Sequence, residues 1–342
     1  MSGLMFVLRS VEETTEAVTI DPIVTEFSDL KVPVLSMVMM GLAAACILAA
    51  LILGIYFLLD RTDNWGTGLL AGIAAYMVFC YLLYMGLQIG LNALPLTKDF
   101  VNNKPDQFTA MMTIFSGIFV CTAIILSLKY VNSQMSKRGQ LMTIGTPLAV
   151  GVGMFTAMVL VNREMSTNIQ YIFVSASVNK MGFDEAVTAT VESMVNGGTY
   201  TLEEATKIAT DSLHGLMTEP PISFFLNAIY YILMELLYAS AAVLIFGEMD
   251  GRLERKWMFV GLGGVMLSIV PSILVTLTPF PNWAGVLVNL LITAAVVYIT
   301  IKLVKQYMPE ELKSLSYSHR RNRHKKDDDK PQKMPKIVMP DK

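Results

Sequence analysis

The sequence is poor in charge, histidine and cysteine. Charged residues make up 16% of its 342 positions, where a soluble globular protein carries roughly a quarter, and it holds three histidines and three cysteines. The shortage of charge excludes an ordinary soluble domain. The cysteines Cys46, Cys80 and Cys121 form no C-x-x-C pair and have no histidine at ligand spacing, so zinc and redox sites have no support. We predict apolar packing roles for them, no metal and no cofactor.

Hydrophobic residues make up 54% of the chain and gather in seven long apolar stretches. About 20 apolar residues cross a bilayer as a helix, and long runs without alternation are typical of helices rather than of barrel strands. The predicted fold class is therefore all-α, a polytopic integral membrane protein with seven transmembrane helices. The predicted spans are Val32–Leu59, Gly66–Leu94, Phe108–Leu128, Gln140–Asn162, Ile222–Phe246, Trp257–Thr278 and Trp283–Ile301.

Lysine and arginine are unevenly distributed between the loops. They concentrate in the loops 129–139 and 247–256 and after the last span, whereas the N-terminal segment and the opposite loops are neutral to acidic. The positive-inside rule then predicts an external N-terminus and a cytoplasmic C-terminus. We expect a multi-pass protein of the plasma membrane of a bacterial-type cell.

The predicted organisation has three parts. Residues 1–31 form an extracytoplasmic segment, residues 32–304 the bundle and residues 305–342 a basic, largely disordered tail. Within the bundle region, 163–221 is an outer segment of amphipathic helices, one of which begins at the capping box Thr201-Leu-Glu-Glu204. We interpret these helices as a structural cap, with a lid or docking element as the alternative. Whether 166–183 enters the membrane stays open.

The tail carries a cluster of positive charge just beyond the last span. The cluster comprises Arg320, Arg321, Arg323, Lys325 and Lys326. Anionic lipid headgroups stabilise such cations by roughly 1 kcal/mol each, so we predict that this tail binds anionic lipid. We predict no nucleic-acid binding, because no nucleic-acid-binding fold accompanies the cluster.

Four glycines in the second span form the motifs Gly68-x-x-x-Gly72 and Gly86-x-x-x-Gly90. Positions 68 and 86 are about five α-helical turns apart, so the four glycines share one face of a regular helix. Small residues allow close helix packing in lipid, where no hydrophobic effect drives association. We predict a helix-packing face on span two, with span four or span six as its partner.

One carboxylate, Glu235, lies deep in the predicted spans, which contain no lysine, arginine or histidine. Hydrocarbon cannot solvate a charge, so an acid at that depth must be neutral, paired or facing a wet cavity. Asn227 lies eight residues earlier and is predicted to share with Glu235 a polar face that points into the bundle. Glu235 is the candidate for catalysis, for proton coupling, or for a structural contact with a neighbouring helix or subunit, and these alternatives stay open.

The succession of spans is similar to the YhfC-type family of proposed intramembrane proteases, in the CAAX-peptidase superfamily. The resemblance covers residues 33–304 and is carried by Gly145–Ala157, Ser240–Phe246 and Lys256–Gly264, together with the long outer segment. It implies an intramembrane-protease-like scaffold.

The family's active-site motifs are missing from the matching positions. Its Glu-Glu pair would fall where this chain reads Ile114–Phe119, its Gly-His-Gly-Gly-x-Glu stretch at Gly151–Thr156, and its later histidine at Gly264–Ser268. The resemblance thus implies a catalytically degenerate member that acts by binding membrane proteins or their helices. The alternatives are an active peptidase that uses Glu235, and a proton-coupled transporter or a subunit of an export complex.

Overall fold

The computed structural model describes residues 22–316, apart from positions 24, 26, 30, 63, 95, 96, 98, 99, 101, 102, 163 and 197–200. Throughout these residues the regular structure is helical, and no strand occurs among them, which confirms the predicted all-α class. Residues 1–21 of the predicted N-terminal segment 1–31 and the basic cluster 320–326 lie outside the described residues. Their roles stay predictions.

Helices follow one another with short connections. In chain order they are α1 (Val34–Arg61), α2 (Trp65–Ala93), α3 (Pro105–Lys137), α4 (Gly145–Asn162), α5 (Glu164–Met181), α6 (Phe183–Asn196), α7 (Leu202–Thr218), α8 (Pro221–Met249), α9 (Arg255–Ser268), α10 (Val270–Leu277), α11 (Asn282–Tyr307) and α12 (Pro309–Ser316). Among the described residues, six units are long and apolar enough to cross a membrane: α1, α2, α3, α8, α9 with α10, and α11. The apolar helix α4 is shorter than these.

The bundle has two ends, which we name by the residues of α1 that lie there. At the Val34 end, Asn179 of α5 holds the backbone of Val32 through two hydrogen bonds of 2.8 and 3.0 Å. The ring of Phe27 lies 4.3 Å from that of His214, so α7 is also at this end. Here Ile23, Phe27 and Val32 pack with α5, α6 and α7 into a second apolar cluster.

The capping box predicted at the start of α7 is confirmed. The backbone N–H of Thr201 donates to Oε2 of Glu204 at 3.1 Å, and the backbone N–H of Glu204 donates to Oγ1 of Thr201 at 3.4 Å. These hydrogen bonds favour the charged carboxylate, so they lower the pKa of Glu204. The start of α7 is therefore fixed by its own side chains.

At the Arg61 end, α12 closes the bundle. Glu311 accepts hydrogen bonds from the backbone N–H of Ile144 and from Arg252, while Arg61 donates to the carbonyl of Leu315 at 3.0 Å. The sequence predicts a largely disordered tail from residue 305, but the first part of that tail is helical. Leu312 and Leu315, three residues apart, pack against the main core and stabilise that short helix.

The short helix α4 lies at the centre of the bundle, and every residue from Gly151 to Val159 is buried. It begins at Gly145, five residues later than the predicted span, because the chain turns at Gly139 with a φ of +66° and stays irregular to Ile144. A helix that is apolar on all sides is buried in protein or in lipid, and the middle of α4 is buried in protein. Here α1, α2 and α8 supply it.

Glycines bring the backbones around α4 into direct contact. A Cβ at Gly68 would lie 2.6 Å from the carbonyl oxygen of Thr146, and one at Gly72 would meet the backbone of Val150 and Met154. From α4 itself, Gly153 faces the backbone of Leu69 in α2, and Gly151 faces that of Ala239 in α8. Such close approach is how helices pack in lipid.

The predicted four-glycine face is not continuous within the chain. Gly68 and Gly72 are buried against α4, whereas Gly86 and Gly90 are exposed, and a Cβ at either exposed position would meet no group of the described chain within 4 Å. A π-helical segment, Tyr76–Leu83, separates the pairs. Its i→i+5 hydrogen bonds turn the chain less per residue than an α-helix, so the second pair rotates off the face of the first.

We expect Gly72→Ala to destabilise the protein by roughly 1–3 kcal/mol, the usual cost of overpacking, because its methyl group would press on the backbone of α4. The matched substitution Gly90→Ala, on the same helix but in open space, should leave the stability unchanged or slightly higher. Unfolding in mixed detergent micelles measures both. Equal losses for the two variants would contradict this packing of α2 on α4.

Candidate functional site

Glu235 lies halfway along α8 and is buried, with 7% of its surface exposed. Its Oε1 has no hydrogen-bond partner among the described residues. The carboxyl group fills the space that the missing side chain of Gly54 leaves on α1, and Val152 of α4 borders the same space. Three helices therefore enclose the carboxyl group. It fits there because Gly54 has no side chain.

The surroundings of Glu235 bear on what the group can do. Hydrolysis by a carboxylate ordinarily uses two activating groups around one water, and the sequence places no second acid and no histidine in the predicted spans. Across the part of the chain that the structure describes, no three His, Cys, Asp or Glu side chains lie close enough together to hold a metal ion. One carboxyl group among apolar neighbours can carry a proton or fill a packing site.

The three cysteines are free and half-buried, and they pack against the main core. Cys121 of α3 lies beside α9, where its thiol donates a weak hydrogen bond to the carbonyl of Leu262 at 3.7 Å. Such contacts are typical of cysteines that act as small apolar residues in a packed core.

A second candidate site is a cavity of about 680 Å³ at the Val34 end. Four segments that are far apart in sequence form its walls: α7, the start of α8, α10 and the start of α11. Asn168 and Tyr171 of α5 complete it. This volume falls in the range of about 300–1,000 Å³ that small-molecule sites occupy.

On the α11 side, the cavity ends at the side-chain amide of Asn289, which has no hydrogen-bond partner in the described chain. Asn289 lines the cavity, its exposed fraction is 0%, and neither Oδ1 nor Nδ2 has a hydrogen-bond partner in the described chain. It lies seven residues beyond Asn282, so about 10 Å further along the helix axis. One turn deeper, Thr293 is buried and its Oγ1 also lacks a partner among the described residues. A buried amide without a partner is costly, so this one is available to a ligand.

Other lining groups are aromatic or acidic. Tyr171, Phe224 and Tyr230 bring rings to the cavity, and the hydroxyl of Tyr230 is hydrogen-bonded to Ser272 of α10. Asp211 and Glu219 bring carboxylates from α7 and from the residue that follows it. The site combines apolar walls with a few polar groups, as ligand pockets do.

The predicted polar face of Asn227 and Glu235 divides between the two sites. Asn227 lines the cavity, whereas Glu235 faces α1. Eight residues correspond to two turns plus about 80°, and this rotation directs the two side chains to different neighbours. The sequence gives no sign of the acids and aromatic rings of the cavity, because no local pattern joins residues on α5, α7, α8, α10 and α11.

Comparison with known proteins gives no match: no family model, no curated protein and no solved structure is similar enough to the chain to identify it. The resemblance to the YhfC-type family therefore stays a prediction.

We expect Gly54→Ala to destabilise the protein, because its methyl group would displace the carboxyl group of Glu235. In a Glu235→Ala background, Gly54→Ala should lower the free energy of unfolding by a smaller amount. A double-mutant cycle measured by unfolding in micelles should then give a coupling energy of roughly 0.5–3 kcal/mol. Gly41→Ala is the control on the same helix, since its methyl group would meet Ile172 at an ordinary 3.7 Å. Additive effects at positions 54 and 235 would show that the two residues do not touch.

Proposed function

We propose that this chain is a plasma-membrane protein, of a bacterial-type cell, that crosses the bilayer seven times, with α4 as the fourth crossing. With 18 residues, α4 is about 27 Å long, close to the hydrocarbon thickness of about 30 Å. In this arrangement the Val34 end is external and the Arg61 end is cytoplasmic. The charges support this orientation, since the cations at the Arg61 end include Lys137, Arg138, Arg252, Arg255 and Lys256.

We infer that the protein acts by binding rather than by cutting peptides. The observation that carries this proposal is the cavity at the Val34 end, whose amide Asn289 is fully buried and unpaired within the described chain. In the proposed orientation the cavity opens to the outside, so a ligand would enter from that face. A protease-like scaffold that has lost its catalytic groups is consistent with the single carboxyl group of Glu235 in apolar surroundings.

The exposed second half of α2 is the surface that would suit a partner helix. Gly86 and Gly90 leave it without large side chains at two adjacent turns, and Ile89 and Met85 beside them are exposed. Binding of membrane proteins at this surface stays a prediction, as does the binding of anionic lipid by the tail.

A proton-coupled carrier is the second candidate. The observation in its favour is that α8 contributes to both sites: Asn227 lines the cavity, and Glu235 lies buried about 12 Å further along the same helix. A carrier needs a cavity open to one side and a proton-exchanging group at depth. This chain offers both.

We expect Ser272→Cys, in a background where the three native cysteines are replaced, to react in intact cells with a thiol reagent that cannot cross the membrane. Ser272 lines the cavity, so a thiol introduced at this position would ionise in contact with external water and react. The control is Ser268→Cys on the preceding helix, which is 1% exposed and should stay unlabelled. If Ser272→Cys reacted only in inside-out vesicles, the proposed orientation would be wrong.

The substitution Glu235→Gln distinguishes between binding, proton-coupled transport and peptide cleavage. The amide keeps the size of the side chain and removes its ability to carry a proton, so a binding protein should keep its ligand affinity within about twofold. A carrier of this kind would lose proton-coupled flux in proteoliposomes while still binding. An enzyme would instead lose peptide cleavage, measured with a labelled transmembrane substrate in detergent.

A further inference from the structure

We propose that the cavity at the Val34 end selects organic cations with an apolar body over anions of the same shape. This inference rests on the proposed binding function and names the class of its ligand. Two observations carry it: the charges that line the cavity, and the aromatic and amide groups inside it.

The charged groups that line the cavity are of one sign. Asp211 and Glu219 are the carboxylates, and no lysine, arginine or histidine of the described chain is among the lining residues. Neither carboxylate forms an ion pair within the described part of the chain. Two uncompensated negative charges make the potential in the cavity negative, which attracts a cation and repels an anion.

The partial charges of the helix ends do not reverse the negative potential in the cavity. The first turns of α8 and α11 reach the cavity at Ser223 and Asn282, and each helix N-terminus carries about half a positive charge. The last turns of α7 and α10 reach it at Gly215 and Thr276, and each C-terminus carries about half a negative charge. Two ends of each sign cancel to a first approximation, so the carboxylates determine the preference.

The uncharged groups suit an organic cation better than a hydrated metal ion. The faces of Tyr171, Phe224 and Tyr230 attract a cation electrostatically while they bury apolar surface. Val275 and Val286 add apolar wall. Beyond them the amide of Asn289, unpaired within the described chain, offers both a donor and an acceptor to a polar group at the far end of the ligand.

The test uses two probes of nearly equal shape and opposite charge, tetraphenylphosphonium and tetraphenylborate, with the full-length protein in nanodiscs. We expect tetraphenylphosphonium to bind and to slow the labelling of Ser272→Cys, and tetraphenylborate to do neither at equal concentration. Empty nanodiscs measure the partitioning of each probe into lipid, and this background is subtracted.

The double variant Asp211→Asn, Glu219→Gln should weaken the binding of tetraphenylphosphonium by about fivefold for each carboxylate removed. This is the size of the attraction between two unit charges a few ångströms apart in water. Both side chains reach solvent, so the variant should fold, and its melting temperature checks this. Glu203→Gln is the control, since this exposed carboxylate on the same helix does not line the cavity.

Unchanged phosphonium affinity in the double variant would overturn the proposal, as would the absence of phosphonium binding or stronger protection by the borate. Each of these results overturns the ligand class alone, and the proposed cavity open to the outside still stands if Ser272→Cys reacts from that side. Failure of that labelling would instead contradict the proposed function itself.

Discussion

The centre of this bundle depends on how closely α4 approaches α1, α2 and α8. The contacts at Gly68, Gly72, Gly151 and Gly153 bring backbone against backbone on two sides of α4. Within a bilayer, where lipid is as apolar as leucine, association comes from such close packing rather than from the exclusion of water. A short helix can then lie at the centre of longer ones, which surround it and leave none of its middle turns exposed.

The central position of α4 decides where polar groups can lie. Because α4 fills the middle of the bundle, α8 is buried against it, and the carboxyl group of Glu235 fits only where Gly54 leaves space on α1. Towards the Val34 end the first turns of α8 line the cavity together with α7, α10 and α11, and Asn227 and Asn289 lie there. One helix thus carries a polar group that is enclosed by its neighbours and another that lines a cavity.

The all-helical class, the amphipathic helices α6 and α7 and the capping box at Thr201 could be predicted because each depends on local composition or spacing. The prediction of a glycine face on α2 holds only for its first half, since the π-helical segment Tyr76–Leu83 interrupts the α-helix and no local sequence pattern predicts it. The cavity could not be predicted. Its lining comes from five helices, and periodicity within one helix does not reveal which faces of different helices will meet.

The described residues of the N-terminal segment belong to the architecture of the Val34 end. Thr25 donates to Asp184 from both its backbone N–H and its hydroxyl, Val32 is held by Asn179, and the ring of Phe27 lies against that of His214. The same helix that carries His214 forms one wall of the cavity. Proteolytic removal of the segment ahead of α1 would therefore loosen a wall of the cavity, although no described residue of that segment lines it.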